Sequence, residues 1–139
     1  MDYELDDDPA RIQCDIVWGW LSTAAYWGRW RERADLDRQL DGAWRVVGAY
    51  RVDTGEQVAF ARAVSDGVAF AYLADVFVLP AHQGAGLGKR LIARMIDDGP
   101  GRDFRWTLFT KDAHGLYEQF GFVVPDETAM VRPAASRMR

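Results

Sequence analysis

The sequence is poor in the residues that carry redox and metal chemistry, with one cysteine, Cys14, and two histidines, His82 and His114, among 139 residues. A lone cysteine cannot form an internal disulfide, and so few thiol and imidazole groups make a metal cluster unexpected. No apolar run approaches the roughly 20 residues that span a bilayer, and the acidic first residues do not resemble a secretory signal. We therefore expect a cytosolic protein with no bound metal.

Negative charge exceeds positive charge. Seventeen Lys and Arg residues face 21 Asp and Glu residues, which gives a formal net charge of −4. Nucleic acids need a clustered positive surface, so we expect no nucleic-acid partner. The lack of a long apolar run predicts no membrane partner. The acidic residues at positions 2–8 and the arginines near the other end are interpreted as solvated ends. The length suits one domain over residues 1–139, as a monomer or a homodimer.

Two helices are predicted in the first part of the chain. Asp8 followed by Pro9 is a helix start signal, and apolar residues recur at helical spacing up to Ala24, which predicts a helix over residues 9–23. The stretch 30–40 is rich in charged helix formers, with Leu36 and Leu40 four residues apart. It predicts a second, weakly amphipathic helix.

Strands and helices alternate in the remainder. Segments rich in Val, Tyr and Phe predict strands over residues 43–52, 57–64 and 68–78, joined by hairpin turns at Gly55 and Gly67. After a glycine-rich turn, apolar residues at helical spacing predict a helix that ends at Gly99. The rest predicts a strand over 104–110, a helix over 112–120 capped by Asp112, and strands over 121–124 and 129–131. This order predicts an α/β domain with an antiparallel meander.

The turn Gln83-Gly84-Ala85-Gly86-Leu87-Gly88-Lys89 is the strongest functional signal. Its glycines allow a ligand to approach the backbone, and the helix that follows leaves its first N–H groups unpaired. The positive end of the helix dipole adds to these donors, so the turn suits a pyrophosphate. A Walker loop would need Gly at position 83 and Ser or Thr at position 90, and a dinucleotide fingerprint would need Gly at position 89. Neither pattern fits.

The turn resembles the signature of the GCN5-related N-acetyltransferase (GNAT) family, which is Gln or Arg, two residues, Gly, one residue, then Gly or Ala. Two flanking segments resemble the same family: Asp75-Val76-Phe77-Val78-Leu79-Pro80 is similar to its fourth strand, and Leu116-Tyr117-Glu118-Gln119-Phe120-Gly121-Phe122 to its closing motif. Together they cover about residues 72–124. The resemblance implies a mixed, mostly antiparallel sheet with a splayed fourth strand and flanking helices.

The resemblance also implies an acetyl-CoA-dependent N-acetyltransferase, with acetyl-CoA as cosubstrate and an amine as acceptor. The pantetheine arm would pair with the backbone of Phe77 and Val78. The N–H groups from Gly84 to Lys89 would hold the pyrophosphate. Cys14 lies in the first predicted helix, so direct transfer is favoured over an acyl-cysteine intermediate.

Transfer from a thioester to an amine needs an uncharged amine and a proton for the departing thiolate. The tyrosine of the family's Leu-Tyr pair matches Tyr117, which is the expected proton donor. Tyr72 and Asp75 are candidates for the base, but strand alternation sends them to opposite faces unless a bulge intervenes. Asp75 lies in an apolar strand, so it is either functional or bonded to a partner such as Arg62. A water chain is the alternative to a single base.

Aromatic residues are dense in the first helical region, where the resemblance places the acceptor wall. Tyr26, Trp27 and Trp30 flank Gly28, and we expect at least one of these three rings to line the acceptor cavity. The alternative is that the aromatic cluster belongs to the core or to a dimer interface. A small-molecule amine, an amino acid, an aminoglycoside and a protein N-terminus or lysine all remain open as acceptors. The competing class of function is a noncatalytic acyl-CoA sensor that keeps the cofactor cradle without turnover.

Overall fold

A computed structural model describes residues 1–25 and 29–135, and its centre is one five-stranded sheet in the order β1-β2-β3-β4-β5. The first four strands form antiparallel pairs, and β5 joins β4 in parallel. The strands are β1 (Tyr3–Asp6), β2 (Arg45–Arg51), β3 (Gln57–Ser65), β4 (Phe70–Val78) and β5 (Arg105–Thr107). The mixed and mostly antiparallel sheet that we predicted is confirmed.

Helices cover both faces of this sheet and enclose two apolar cores. The helices are α1 (Cys14–Thr23), α2 (Arg33–Asp41), α3 (Leu87–Met95) and α4 (His114–Glu118). Leu91 and Ile92 of α3 are fully buried against one face, together with Val47 and Ala61 of the sheet. On the opposite face, Val17 and Leu21 of α1 and Leu36 of α2 pack on Phe60 and Phe77. None of the helices among the described residues is long and apolar enough to cross a membrane.

Both predicted hairpins are present. Gly55 and Gly67 adopt φ values of 75° and 76°, in the left-handed region that favours glycine. The Asp66 carboxylate accepts hydrogen bonds from the amides of Val68, Ala69 and Phe70. These turn residues therefore stabilise the hairpins that join β2, β3 and β4.

The helix predicted over 9–23 is interrupted. Pro9–Arg11 forms a short 3₁₀ turn capped by Asp8, and α1 begins only at Cys14. Between them, the Gln13 amide donates to the Gln57 side chain at 2.7 Å, and the Gln57 amide donates to the Gln13 side chain at 3.0 Å. This exchange ties the chain to the start of β3 and separates the turn from the helix.

The acidic start of the chain is a strand, where we had expected a solvated end. Tyr3–Asp6 pairs with β2, with Tyr3 opposite Arg51 and Asp6 opposite Gly48. The apolar Tyr3 and Leu5 pack against the α3 core, while Glu4 and Asp6 bind Arg11 at 2.9 and 3.0 Å. One face of this strand is therefore buried, and the acidic charges on the other face are neutralised by Arg11.

The last part of the chain contains less regular structure than predicted. Residues 121–124 and 129–131, expected as strands, form none in the described structure, and Val123 is 83% exposed. The strand predicted over 104–110 shortens to Arg105–Thr107, and α4 is shorter than the predicted 112–120. Asp112 does not cap α4: the N-cap residue is Ala113, no described side chain caps the helix, and the Ala113 amide donates to the Thr110 hydroxyl at 3.2 Å.

Candidate active site

The parallel pair at the edge of the sheet opens part of the way along β4. Strand β5 pairs with β4 only from Phe70 to Tyr72, where Tyr72 lies opposite Thr107. Beyond this point β4 continues to Val78 with no β5 partner. Main-chain groups on an unpaired strand edge can bind an extended ligand, as in strand addition. The opening leads directly to the glycine turn.

The glycine turn is an open cradle. Gly84 and Gly86 adopt φ values of 85° and 76°, and no atom lies within 4 Å of the position that a Cβ would take at either residue. The Gln83 side chain donates to the carbonyl oxygen of Val78 at 2.9 Å. Gln83 thereby fastens the turn to the end of β4.

The amides of residues 84–89 make no hydrogen bond within the described structure. The first intrahelical bond of α3 runs from the amide of Arg90 to the carbonyl of Gly86, at 3.3 Å. Unpaired N–H groups at a helix start, together with the positive end of the helix dipole, favour a phosphate group. An added Cβ at Gly84 or Gly86 would project into this open space. The residues present therefore fit the diphosphate of a coenzyme.

Tyr117 lies on α4, beside the glycine turn. The position of a Cβ on Gly88 would be 4.0 Å from both Leu116 of α4 and Val78 of β4, so these elements meet at this point. The Tyr117 ring is buried at 8% exposure, with an edge contact to Phe122 at 5.7 Å between centroids.

The Tyr117 hydroxyl is not completely buried. Among the described residues, two side-chain polar atoms are inaccessible to solvent and also lack a hydrogen bond: Trp20 Nε1 and Tyr50 Oη. The Tyr117 hydroxyl also lacks a hydrogen bond to any described residue but is not one of these atoms, so solvent can reach it. Burial, followed by the charge of Asp112, raises the pKa of Tyr117 to about 12. The phenol is therefore protonated at neutral pH, as a proton donor requires.

A β-bulge interrupts β4 between the opening and the glycine turn. Phe60 pairs with Phe77 and Arg62 with Ala74, so Asp75 and Val76 both face Ala61. Asp75 has φ 55°, the left-handed conformation that Asp tolerates better than most residues. The extra residue turns Asp75 to the face where Arg62 lies, which is also the face of Tyr72. The bulge therefore places Tyr72 and Asp75 on the same face of β4, which regular strand alternation would not do.

Asp75 is the centre of a buried ion cluster with Arg31 and Arg62. Its Oδ1 accepts from Arg31 Nη2 at 2.7 Å, and its Oδ2 accepts from Arg31 Nη1 at 2.9 Å and from Arg62 Nε at 3.0 Å. The side chains of Arg31, Asp75 and Arg62 are only 2%, 3% and 8% exposed. Arg31 Nη1 also donates to Gln39 at 2.7 Å. The expected bond between Asp75 and Arg62 is thus observed.

Electrostatics disfavour both base candidates at neutral pH, Asp75 as a weak base and Tyr72 as a protonated phenol. Burial raises the pKa of Asp75, but the hydrogen bonds and charges of Arg31 and Arg62 outweigh it, and the net pKa lies below the usual value. Burial and the charge of Asp75 raise the pKa of Tyr72, so its phenol stays protonated. This geometry favours the ion-pair alternative for Asp75 and a hydrogen-bonding role for Tyr72.

Of the three aromatic residues expected at the acceptor, Tyr26 and Trp27 lie outside the described residues. Trp30 is half-buried and lines a cavity of about 340 Å³ together with Asp35, Arg38 and Gln39. Because Gln39 accepts from Arg31, this cavity adjoins the ion cluster. Sequence reasoning missed Arg31 and Gln39, which are far from Asp75 in the chain and carry no motif. No group of three or more potential metal ligands occurs in residues 1–25 and 29–135.

Comparison with known proteins places the fold in one family. The family model described as "Acetyltransferase (GNAT) domain" matches residues 44–124, which contain β2 to α4 and the glycine turn. The chain therefore belongs to the GNAT acetyltransferase family. A solved GNAT-family structure from Xanthomonas campestris pv. campestris is 35% identical, covers 96% of this chain and 94% of its own, and superposes with a TM-score of 0.86.

Two curated relatives match part of the chain. A candidate acetyltransferase of Gibberella zeae is 31% identical over a 111-residue alignment that covers 66% of this chain and 60% of that protein. GCN5-related N-acetyltransferase 1, chloroplastic, of Arabidopsis thaliana is 51% identical over 68 residues, which are 49% of this chain and 34% of that protein. The chain thus spans less than two thirds of the length of either relative.

Proposed function

We propose that this chain is an acetyl-CoA-dependent N-acetyltransferase that transfers the acetyl group directly to a primary amine. The observation that carries the proposal is the row of unpaired amides over residues 84–89 at the end of the open β4 edge. A diphosphate and an extended pantetheine arm are the two parts of acetyl-CoA that such a surface recognises. The backbone of Phe77 and Val78 is the proposed partner of the arm.

The reaction requires three proton movements. The amine nitrogen forms a bond to the thioester carbonyl carbon, and the carbon–sulfur bond breaks with its electron pair on sulfur. The Tyr117 hydroxyl gives its proton to this thiolate, which yields CoA as the thiol. The nitrogen releases its surplus proton to water, and the Tyr117 phenolate regains one from solvent, so protons balance over the cycle.

Direct transfer is supported by the position of the lone cysteine. Cys14 is the first residue of α1, and its Sγ lies 3.9 Å from the carbonyl of Ile12. Helix α1 packs on the face opposite α3, whereas the glycine turn leads into α3. A covalent acyl-cysteine would need the thiol beside the thioester, so we propose a ternary complex.

Deprotonation of the amine is assigned to water held at the site. Asp75 has both oxygens occupied by guanidinium donors, and Tyr72 is protonated at neutral pH. In this proposal Tyr72 and Asp75 line the acceptor side of the opening between β4 and β5. The Tyr72 hydroxyl offers a hydrogen bond there, and Asp75 holds Arg31 and Arg62 in place.

Gly86→Val is expected to abolish detectable acetyl-CoA binding, because the side chain fills the space left for the diphosphate. Valine at a positive φ also costs about 1–3 kcal/mol of backbone strain. Gly55→Val is the matched control, since Gly55 has φ 75° and equally open surroundings in the β2–β3 hairpin. Isothermal calorimetry of both variants with acetyl-CoA separates strain from lost recognition.

The control variant should keep wild-type affinity while showing a similar loss of thermal stability. If folded Gly86→Val binds acetyl-CoA as well as Gly55→Val does, the glycine turn is not the diphosphate site.

Trp30→Ala is expected to raise the KM of the acceptor amine about 10-fold, the size of one contact of roughly 1.4 kcal/mol. Trp30 lines the cavity beside the ion cluster and not the glycine turn, so the KM of acetyl-CoA should not change. Trp30→Phe, which keeps an aromatic face, should lose less. Equal changes in the two KM values would show that Trp30 does not belong to the acceptor site.

A further inference from the structure

Arg62 is buried, yet most of its hydrogen-bonding capacity is unused. Its Nε donates to Asp75 Oδ2, but Nη1 and Nη2 donate to no group in the described structure. Neither nitrogen is among the polar atoms of the described residues that lack a partner and are inaccessible to solvent, so solvent can reach both. The side chain is nevertheless only 8% exposed. A buried guanidinium whose two terminal nitrogens have no partner can bind a further hydrogen-bond acceptor.

Asp75 cannot complete this site. Its Oδ1 is held by Arg31, and its Oδ2 is shared between Arg31 and Arg62. Arg31 takes the bidentate position on the carboxylate, which leaves Arg62 with a single bond through Nε. The terminal edge of Arg62 is therefore directed to something other than its structural partner. An anion is the partner that such an edge binds most strongly.

The open fork of Arg62 lies next to the expected reaction centre. Arg62 is opposite Ala74, two residues beyond the last β4–β5 pair at Tyr72. It shares the bulged face of β4 with Tyr72, whose pKa responds, after burial, to the charges of Asp75 and Arg62. The proposed pantetheine path follows the β4 edge, so the Arg62 face is the side on which an acceptor can lie.

We propose that the acceptor is an amine that also carries a carboxylate, and that Arg62 is the residue that selects it. The two terminal nitrogens of Arg62 present a planar fork, which matches the two oxygens of a carboxylate. The amine is thereby held beside the opening while its carboxylate is paired in a buried position. This inference rests on the proposed function and narrows its acceptor to amino acids and related amines.

Matched pairs of acceptors test the proposal. The first pair is L-phenylalanine and 2-phenylethylamine, and the second is L-lysine and 1,5-diaminopentane. In each pair only one member carries the carboxylate. β-Alanine and O-phosphoethanolamine form a third pair that compares carboxylate with phosphate on one short amine. Release of CoA gives kcat/KM, and calorimetry with CoA bound gives affinity independently of turnover.

We expect the wild-type protein to prefer the carboxylate member about 10- to 100-fold, the range of one charge-assisted bidentate contact. Arg62→Lys keeps a positive charge beside Asp75 but loses the fork, and it should reduce the preference severalfold. Arg62→Gln should remove it, with affinity for acetyl-CoA unchanged. Arg51→Gln is the control, because Arg51 is the last residue of β2, which β3 separates from β4, and forms a surface pair with Asp53 at 2.8 Å.

Several results overturn the proposal. These are equal use of both members in each pair, preference for phosphoethanolamine over β-alanine, a preference that survives in folded Arg62→Gln, or no binding of any carboxylate amine. Failure of the proposed function looks different, since acetyl-CoA would then not bind, or no amine of any kind would be acetylated.

Discussion

Tyr117→Phe is expected to lower kcat about 10- to 1000-fold with little change in the affinity for acetyl-CoA. The substitution removes one oxygen from a ring that is already packed on α4 against Phe122, so the shape of the site is retained. What is lost is the proton for the thiolate. Rapid-mixing kinetics that separate the chemical step from CoA release measure the effect directly.

Tyr50→Phe is the matched control for this variant. Tyr50 lies on β2 with its hydroxyl sealed and unpartnered, and its pKa is also raised to about 12, mainly by burial. Removal of a buried hydroxyl without a partner is expected to leave activity unchanged and to leave stability unchanged or higher, because an unsatisfied buried polar group costs free energy. An unaltered kcat in Tyr117→Phe would assign Tyr117 to packing alone.

The raised pKa of Tyr117 also predicts the pH dependence. A phenol with the ordinary pKa of 10.0 would lose its proton, and its ability to act as an acid, as the pH passes that value. Because the pKa of Tyr117 is about 12, its contribution to kcat should persist at pH 10 and be lost only nearer pH 12. A fall in kcat centred on pH 10 that is absent from Tyr117→Phe would contradict the burial argument.

Asp75→Asn is expected to lower the free energy of unfolding by about 3–5 kcal/mol, the usual cost of removing one partner from a buried ion pair. The substitution leaves Arg31 and Arg62 buried without their shared carboxylate. Asparagine has nearly the same shape and tolerates the φ of 55°, so loss of charge is the main change. Chemical denaturation followed by circular dichroism measures the difference.

An exposed ion pair supplies the control. Asp53 binds Arg51 at 2.8 Å on the surface, and Asp53→Asn should cost less than about 1 kcal/mol. The pKa of Asp75 is lowered in the folded protein, so its ionisation stabilises the fold above the usual value of 3.8. That contribution should disappear as the pH falls below 3.8 through the folded pKa. Equal losses in the two variants would show that the cluster is not a stabilising element.

The glycine turn and the β4–α3 unit could be predicted because their signals are local. Turn residues fix the hairpins, and the apolar spacing of Leu87, Leu91 and Ile92 defines the buried face of α3. Gly84 and Gly86 have positive φ in the structure, a conformation that glycine permits. The fold class and the cofactor cradle therefore depend on residues that are adjacent in the sequence.

The ion cluster could be predicted only in part, because it depends on contacts between distant residues. Arg31 lies 44 residues before Asp75, and nothing near it in the chain indicates a buried partner. The bulge that turns Asp75 to the same face as Arg62 leaves no sequence pattern beyond an acidic residue in an apolar strand. Tertiary packing decides which of several arginines is buried.

The two ends of the chain were misread for opposite reasons. At the start, the charge of Glu4 and Asp6 concealed an alternating strand whose outer face is neutralised by Arg11. Near the other end, Val123 and Val124 predicted a strand from propensity alone. A strand also needs a hydrogen-bonding neighbour, and residues 121–124 have no strand beside them in the described structure.

The most direct test of the central claim is mass spectrometry of products after incubation with acetyl-CoA carrying a ¹³C-labelled acetyl group and the panel of amines. We predict one labelled acetyl amide for each CoA released, with the rate reduced in Tyr117→Phe and no product in Gly86→Val. Saturable binding of acetyl-CoA with no acetylated amine under any condition would contradict the account and would instead identify an acyl-CoA sensor.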